Sequence, residues 1–393
     1  MKPLFTCQMR PWKELLRIEP HGLVPVTEID VRALSEIYEE TDVYLSVYLP
    51  TASREEEAMN ETYVTGRERA ISRALGGELL ESFRRTFEMA SEHISHSPIH
   101  GEKGRIIFAC EPLGLLHVYR LGVAPERKMI LDTSPFLLPL AKLRDDYADY
   151  AILLMDSKEA KLFSVRSNVL KVEGSDSISL MNKHKKGGMS QMRFNRLRRG
   201  AISNFISELV EDIKGLEEAP HLRGLVIAGP GEAKKQLLEE LPPEIRHMVL
   251  GVEDVSIDTP LGDLLLIGER AALQDERSRE RAGIKLLRSA IMRSEPSAYG
   301  AEQVRKALNE GRVNLLMILR DASIPGWICE RCQNMKEKVA PPRNCPYCGG
   351  PTSPVDIVEE LYELAQRTGA DVEFVMDSDF LESLGGIAAL LRY

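Results

Sequence analysis

Two groups of residues in this 393-residue chain have the types and spacing to do chemistry. The first lies at 183–199 and reads K-H-K-K-G-G-M-S-Q-M-R-F-N-R-L-R-R. Lys183, Lys185, Lys186, Arg193, Arg196, Arg198 and Arg199 form a run of seven cations without one Asp or Glu, in a chain of net charge -9. A local cationic excess in an acidic protein points to a phosphate-rich partner, and arginines hold phosphates without reading sequence. Gly187 and Gly188 sit at the centre, where they let the backbone take positive φ and approach another molecule closely. Gln191 follows. Its amide donates and accepts hydrogen bonds and cannot serve as a general base near pH 7. Catalysis at this tip would work by placing water and by aiming backbone N–H groups of the glycine loop at a developing oxyanion. The bland alternative is a surface turn before a solvated basic helix; the cations, the glycine pair and the missing acids together favour contact with nucleic acid. His184, beside lysines that disfavour its protonation, reads as a solvated loop residue.

The second group is Cys329, Cys332, Cys345 and Cys348, in the order C-E-R-C, twelve residues, C-P-Y-C-G-G. Two CxxC turns at this spacing offer one ion a tetrahedral set of four thiolates, the pattern of structural zinc. With every position filled by sulfur, no place remains for a catalytic water. An iron–sulfur or redox site is the alternative, and nothing nearby supports it. A ribbon of this kind stabilises a protrusion too small to have a core of its own. Cys7 and Cys110 are far apart and read as reduced structural residues. A third motif, Gly229-Pro230-Gly231, follows a strand and precedes a helix, yet it lacks the Lys-Ser/Thr of a phosphate loop and the dinucleotide spacing. It reads as a plain turn.

The elements around these residues follow from periodicity. Residues 42–50, D-V-Y-L-S-V-Y-L-P, alternate as a half-buried strand. A long polar helix is expected over 54–93, then strands at 105–110 and 115–121. Strands at 151–155, 160–165 and 169–172 with tight turns predict a meander leading to the glycine segment. After it, Phe194, Leu197, Ala201, Phe205, Leu209 and Ile213 recur at helical spacing, with Arg193, Arg196 and Arg199 on another face. A buried strand at 224–228, a helix at 232–240, a strand at 249–255 and a helix over 261–280 complete this region. The last region shows a helix at 301–309, a strand at 313–319, the cysteine turns, an amphipathic helix at 355–367 and a strand at 372–376. The fold class is therefore a multidomain α/β (α+β) chain. Three mixed α/β domains are expected at 1–147, 148–280 and 281–393, the last with an inserted zinc-ribbon mini-domain at 326–354. Composition, 43% hydrophobic and 28% charged, is that of a soluble globular protein. No apolar run reaches a membrane span, and the N-terminus lacks the apolar core of a secretion signal, so a cytoplasmic location is expected.

From about residue 149 onward the chain resembles the archaeal and eukaryotic class I peptide-chain release factors and their relative Pelota. Three stretches carry the resemblance: K-K-G-G-M-S-Q-M-R-F-N-R-L-R-R at 185–199, G-L-V-I-A-G-P-G at 224–231, and the ending G-G-I-A-A-L-L-R-Y at 385–393. The first is similar to the segment in which Gly-Gly-Gln precedes Ser-Ala-x-Arg-Phe-x-Arg-Leu-Arg. Some archaeal members carry a cysteine mini-domain in the same place. The resemblance implies a codon-reading first domain, a middle domain that brings Gly-Gly-Gln into the peptidyl-transferase centre, and a third domain like a kink-turn-binding ribosomal protein. It implies hydrolysis of the peptidyl-tRNA ester, with Gly187 and Gly188 allowing close approach, Gln191 placing water, and the cations holding ribosomal RNA. The ribosome is the implied partner, with a translational GTPase or an ABC-type ATPase beside it. Two departures stand out. Met189 occupies the third letter of the glycine motif, so the nearest glutamine comes two positions late. The stop-codon signatures Asn-Ile-Lys-Ser and Tyr-x-Cys-x-x-x-Phe are missing; the region expected for the former reads N-E-T-Y-V-T-G-R-E-R at 60–69. The N-terminal region looks more like the divergent prokaryotic branch, whose members are linked to ribosome rescue or hibernation. Peptide release on stalled ribosomes, non-catalytic hibernation in the A site, and stop-codon-dependent termination are the three readings in that order.

Overall fold

The computed structural model of the chain describes residues 17–18, 22–37, 43–167, 169–177, 204–210, 213, 222–329, 331–332, 334–337 and 340–393. Two compact units make it up: Tyr147–Arg279 is one, and Met1–Asp146 joins Glu280–Tyr393 in the other.

The N-terminal part of the larger unit holds β1 (Arg17–Ile18), α1 (Val31–Ser35), β2 (Tyr44–Pro50), α2 (Arg54–Ala74), α3 (Gly77–Ile94), β3 (Gly104–Cys110), β4 (Leu115–Leu121), β5 (Lys128–Asp132) and α4 (Leu138–Asp146). The strands form one sheet in the order β1-β4-β3-β2-β5, antiparallel except for β1 against β4. Leu45, Val47 and Leu49 alternate toward α2 and α3, where they pack with Val64, Phe83, Ala90, Ile107 and Val118. The opposite face carries Tyr44, Ser46 and Tyr48, and it is buried too. Period-two alternation in β2 therefore does not mean a half-buried strand, as the sequence pattern suggested; both faces are covered. The long helix expected over 54–93 is two helices. Gly77 takes φ +58, a left-handed conformation that glycine adopts without strain, and the chain turns there.

The second unit is built on β6 (Asp149–Met155), β7 (Glu159–Arg166) and β8 (Val169–Ser177), the expected antiparallel meander. Then come β9 (Leu222–Ala228), α5 (Ala233–Glu240), α6 (Pro243–His247) and β10 (Val249–Glu253). The sheet order is β10-β9-β6-β7-β8, with β9 parallel to both β6 and β10. Strand β6 faces two cores. Ala151, Leu153 and Met155 meet Phe205, Ile206, Leu209 and Ile213, while Tyr150, Ile152 and Leu154 meet residues of α7 (Leu261–Met292) such as Leu264 and Ala271. Helix α7 runs past the end expected for it at 280. Phe205, Leu209 and Ile213 do share one buried face; Phe194, Leu197 and Ala201 lie outside the described residues.

The C-terminal part of the larger unit comprises β11 (Ser297–Tyr299), α8 (Gly300–Asn309), β12 (Val313–Leu319), β13 (Pro325–Cys329), β14 (Met335–Glu337), β15 (Thr352–Asp356), α9 (Ile357–Thr368), β16 (Asp371–Val375), α10 (Asp379–Ser383) and β17 (Ile387–Leu391). One sheet has the order β11-β17-β12-β16, with β12 and β16 parallel. A separate three-stranded sheet, β14-β13-β15, is inserted between β12 and α9. The amphipathic helix begins at Ile357, because residues 355–356 belong to β15. Asp356 caps α9, accepting from the Val358 N–H at 3.0 Å.

Within this unit α9 lies against the N-terminal part. Its Glu359 accepts from the backbone N–H groups of Leu137 and Leu138, the latter at 2.9 Å. These are orphan donors at the start of α4, so a side-chain carboxyl from over two hundred residues away serves as that helix's cap. Glu363 accepts from Ser134 Oγ at 3.0 Å and from Arg367 at 2.7 Å. Arg367 in turn donates to the carbonyl of Ser35, at the end of α1, at 2.6 Å. At its far end α4 is held by Asp146, paired with Arg320 just past β12.

Candidate functional site

The glycine segment is carried by the second unit. All its site residues, Lys183, Lys185, Lys186, Gly187, Gly188, Gln191, Arg193, Arg196, Arg198 and Arg199, lie outside the described residues. The elements on either side of it are in place. Strand β8 ends at Ser177 on the edge of its sheet. Helical residues 204–210 resume the chain, with Phe205 and Ile206 fully buried. Each such apolar side chain taken out of water contributes about 1.5–3 kcal/mol, which anchors residues 204–210 to the sheet.

The cysteines converge. Cys329 ends β13 and Cys332 follows it, while Cys345 and Cys348 precede β15. All four sulfurs lie within 4.8 Å of one another, with Cys329 to Cys348 at 3.4 Å and Cys332 to Cys345 at 3.7 Å. A tetrahedral ion with metal–sulfur bonds of about 2.3 Å requires sulfurs roughly 3.8 Å apart, so the donor set fits one ion. The turns are shaped for sulfur as ligand. The Tyr347 N–H points at Cys345 Sγ at 3.4 Å, and the Asn334 side-chain amide points at Cys332 Sγ at 3.6 Å. Such N–H donors stabilise negative charge on sulfur. The thiols of Cys332 and Cys348 are shifted in opposite directions. The Asn334 backbone N–H, aided by its side chain, holds Cys332 down at about 6. The Gly350 N–H favours the Cys348 thiolate as well, but burial and hydrogen bonds with the other three sulfurs outweigh it and push Cys348 up to about 12. Glycine at 350 is required by space: a Cβ there would sit 2.9 Å from Arg331 Cβ and 3.4 Å from both Cys329 Sγ and Cys348 Sγ.

Two further segments are structural in character. The stretch at 60–69 lies inside α2, with Asn60 and Val64 buried against the sheet and most of the other side chains exposed. Buried Asn60 donates to the Pro50 carbonyl at 2.7 Å and accepts from Arg127 at 2.6 Å. Tyr63 accepts from the Met129 N–H at 3.2 Å, and Arg67 donates to the Met129 carbonyl at 3.1 Å. Asn60→Ala strips partners from a buried carbonyl and a guanidinium, so it is expected to cost about 1–3 kcal/mol of stability in urea unfolding. The Gly229–Gly231 turn gathers carbonyls around a cation: Lys234 Nζ, buried, donates to Gly229 O at 2.6 Å and Gly231 O at 3.1 Å, and pairs with Asp254. That arrangement suits an ammonium ion already present, not a phosphate. Sequence reasoning passed over Glu359 and Glu363 altogether. The only available signal was two acids on the apolar face of an amphipathic helix.

Among the described residues no helix is long and apolar enough to cross a membrane. The family model for eRF1 domain 2 matches residues 149–262, and that for eRF1 domain 3 matches residues 278–393. Peptide chain release factor subunit 1 of Archaeoglobus fulgidus is 29% identical over 290 residues, 68% of this chain and 71% of that protein. The same factor of Methanosphaera stadtmanae is 27% identical over 285 residues, 67% and 69% of the two chains. Among solved structures, the archaeal translation termination factor aRF1 aligns over 94% of this chain and 99% of its own, at 18% identity and a TM-score of 0.27. Dom34 of S. cerevisiae, described as a translation termination-like factor, aligns over 71% and 74% at 14% identity and a TM-score of 0.40.

Proposed function

Because the chain belongs to the eRF1–Pelota superfamily, we propose that it occupies the ribosomal A site and releases the nascent peptide from peptidyl-tRNA, in ribosome rescue or in termination. The observation that carries this reading is the eRF1 domain 2 match over 149–262, the span that contains Gly187, Gly188 and Gln191. The reaction is ester hydrolysis. Water adds to the ester carbonyl, the bond to the terminal ribose oxygen breaks, and a peptide carboxylate and a tRNA hydroxyl remain. Gln191 positions the water through its amide, the glycine backbone offers N–H groups to the oxyanion, and the seven cations hold ribosomal RNA. The four cysteines hold a structural zinc ion, which supplies rigidity to the inserted mini-domain and takes no part in hydrolysis. A cytoplasmic location follows from this role. A translational GTPase or ABC-type ATPase is the partner class that belongs with it.

A second reading, a hibernation factor that occupies the A site without chemistry, is favoured by Met189, whose thioether cannot orient water. Stop-codon-dependent release is the third; the missing Asn-Ile-Lys-Ser and Tyr-x-Cys-x-x-x-Phe signatures speak against it. The test uses ribosomes carrying peptidyl-tRNA with a stop codon, a sense codon or an empty A site. Release with a sense codon or an empty site is expected. Binding without release in all three overturns the proposal in favour of hibernation, and release at stop codons alone turns it to termination.

A further inference from the structure

The two carboxylates that join α9 to the N-terminal part are placed unusually for a structural contact. Glu359 and Glu363 stand one helical turn apart and are both buried, at 5% and 3% exposure. Between them they meet one cation, Arg367, two backbone N–H donors and the Ser134 hydroxyl. Taking two adjacent carboxylates out of water as a dianion is very costly, because like charges cannot both ionise cheaply in a poorly hydrated site. The other groups facing them do not relieve this. Glu360 is on the same helix, Asp132 approaches from β5, and Tyr44 and Tyr48 approach from β2. Tyr362 on α9 also lies close, with Arg144 and Asp145 of α4 beside it.

We propose that Glu359 and Glu363 are a proton-operated clasp, so that closure of the N-terminal α/β part on the C-terminal part is coupled to proton uptake by this pair. The two parts each carry a sheet of their own. The N-terminal sheet keeps its own apolar core with α2 and α3 on the far face. The face toward α9 carries Tyr44, Tyr48, Phe108 and Tyr119 in edge and tilted contacts, together with Ser46 and buried Ile106. Opening exposes Glu359 and Glu363 to water, where a glutamic acid titrates near about 4.3. In the closed form burial pushes Glu363 up to about 7, against the pull of Arg367 and Ser134, and burial together with Glu363 raises Glu359 well above its ordinary value. A carboxyl raised on closing favours the closed form fully below its open-form value. That preference is lost as pH rises through the closed-form value. The clasp is therefore tightest in acid and loosens from about pH 4.3 through 7 as Glu363 ionises, with Glu359 acting in the same direction.

Hydrogen–deuterium exchange of the full chain tests this. Protection of the peptide spanning 133–146, which contains the Leu137 and Leu138 amides, is measured from pH 6 to 8.5 and corrected for intrinsic exchange. Wild-type protection is expected to fall with pH, approaching tenfold per pH unit for each proton released, while the peptides of α2 and α3 hold theirs. Glu363→Gln keeps the acceptor for Ser134 and is expected to flatten the curve near pH 7. Glu359→Gln with Glu363→Gln is expected to remove the slope altogether. Protection of 133–146 that does not vary with pH in the wild type overturns the clasp without recourse to any variant. So does a slope that survives in the double variant.

Discussion

Replacing Gln191 by alanine lowers the rate of peptide release about 10²-fold while ribosome binding changes little. The two effects separate because they rest on different residues. Affinity comes from the seven Lys and Arg residues at 183–199, which neutralise phosphates and displace counterions, and Gln191 is neutral. Rate comes from holding one water in line with the ester carbonyl and from donors aimed at the charge that develops there. Deleting one such donor in other hydrolytic sites costs on the order of 10²–10³ in rate. The companion variant Met189→Gln puts an amide at the third letter of the glycine motif, with Gln191 still present. Release that rises in Met189→Gln and falls in Gln191→Ala places the reactive point between the two positions. Unchanged release in Gln191→Ala removes that residue from the chemistry. Single-turnover release from pre-formed ribosome complexes, with binding measured separately by co-sedimentation, distinguishes these results.

Cys345→Ser reduces bound zinc from about one ion per chain to a small fraction of that and unravels the inserted sheet, leaving the rest of the fold standing. The mini-domain has almost no hydrophobic core. Trp327 packs with Cys329, Cys345 and the half-buried Cys348, so the ligands themselves are most of its interior. Three short strands, of which β14 has three residues, cannot offset the entropy of ordering the chain. Structural zinc in small domains supplies on the order of 10 kcal/mol, and that energy is folding energy. The sheet β11-β17-β12-β16 shares no strand with the ribbon, so its exchange protection is expected to persist. Metal content by elemental analysis and exchange over β13, β14 and β15 are the measurements. Full zinc retention in Cys345→Ser rejects the four-sulfur site.

Much of the candidate chemistry was legible because it depends on local spacing. A CxxC turn brings two sulfurs within reach of one ion whatever surrounds it, and the four sulfurs do converge. The meander at β6, β7 and β8 and the strand at β9 were read from short alternating or apolar runs bounded by turns, and the sheet registers agree. The family resemblance of the last two regions was likewise carried by short ordered motifs, now matched over 149–262 and 278–393. Less local facts were not legible. Extended Leu75 and Gly76, followed by Gly77 at φ +58, divide α2 from α3, although polar residues continue on both sides.

The division between sequence and tertiary structure is clearest at β2 and α9. By itself the sequence determined that residues 44–50 alternate, with Leu45, Val47 and Leu49 on one side and Tyr44, Ser46 and Tyr48 on the other. It also determined that α9 is amphipathic, with acids among its apolar positions. Only the tertiary structure decided that the tyrosine side of the sheet is buried and that Glu359 caps a helix 222 residues earlier in the chain. The physical reason is that alternation encodes which side chains share a face but not what covers it. A carboxylate on a helix surface reads as solvated until a distant helix end, with its unpaired N–H groups, is brought against it.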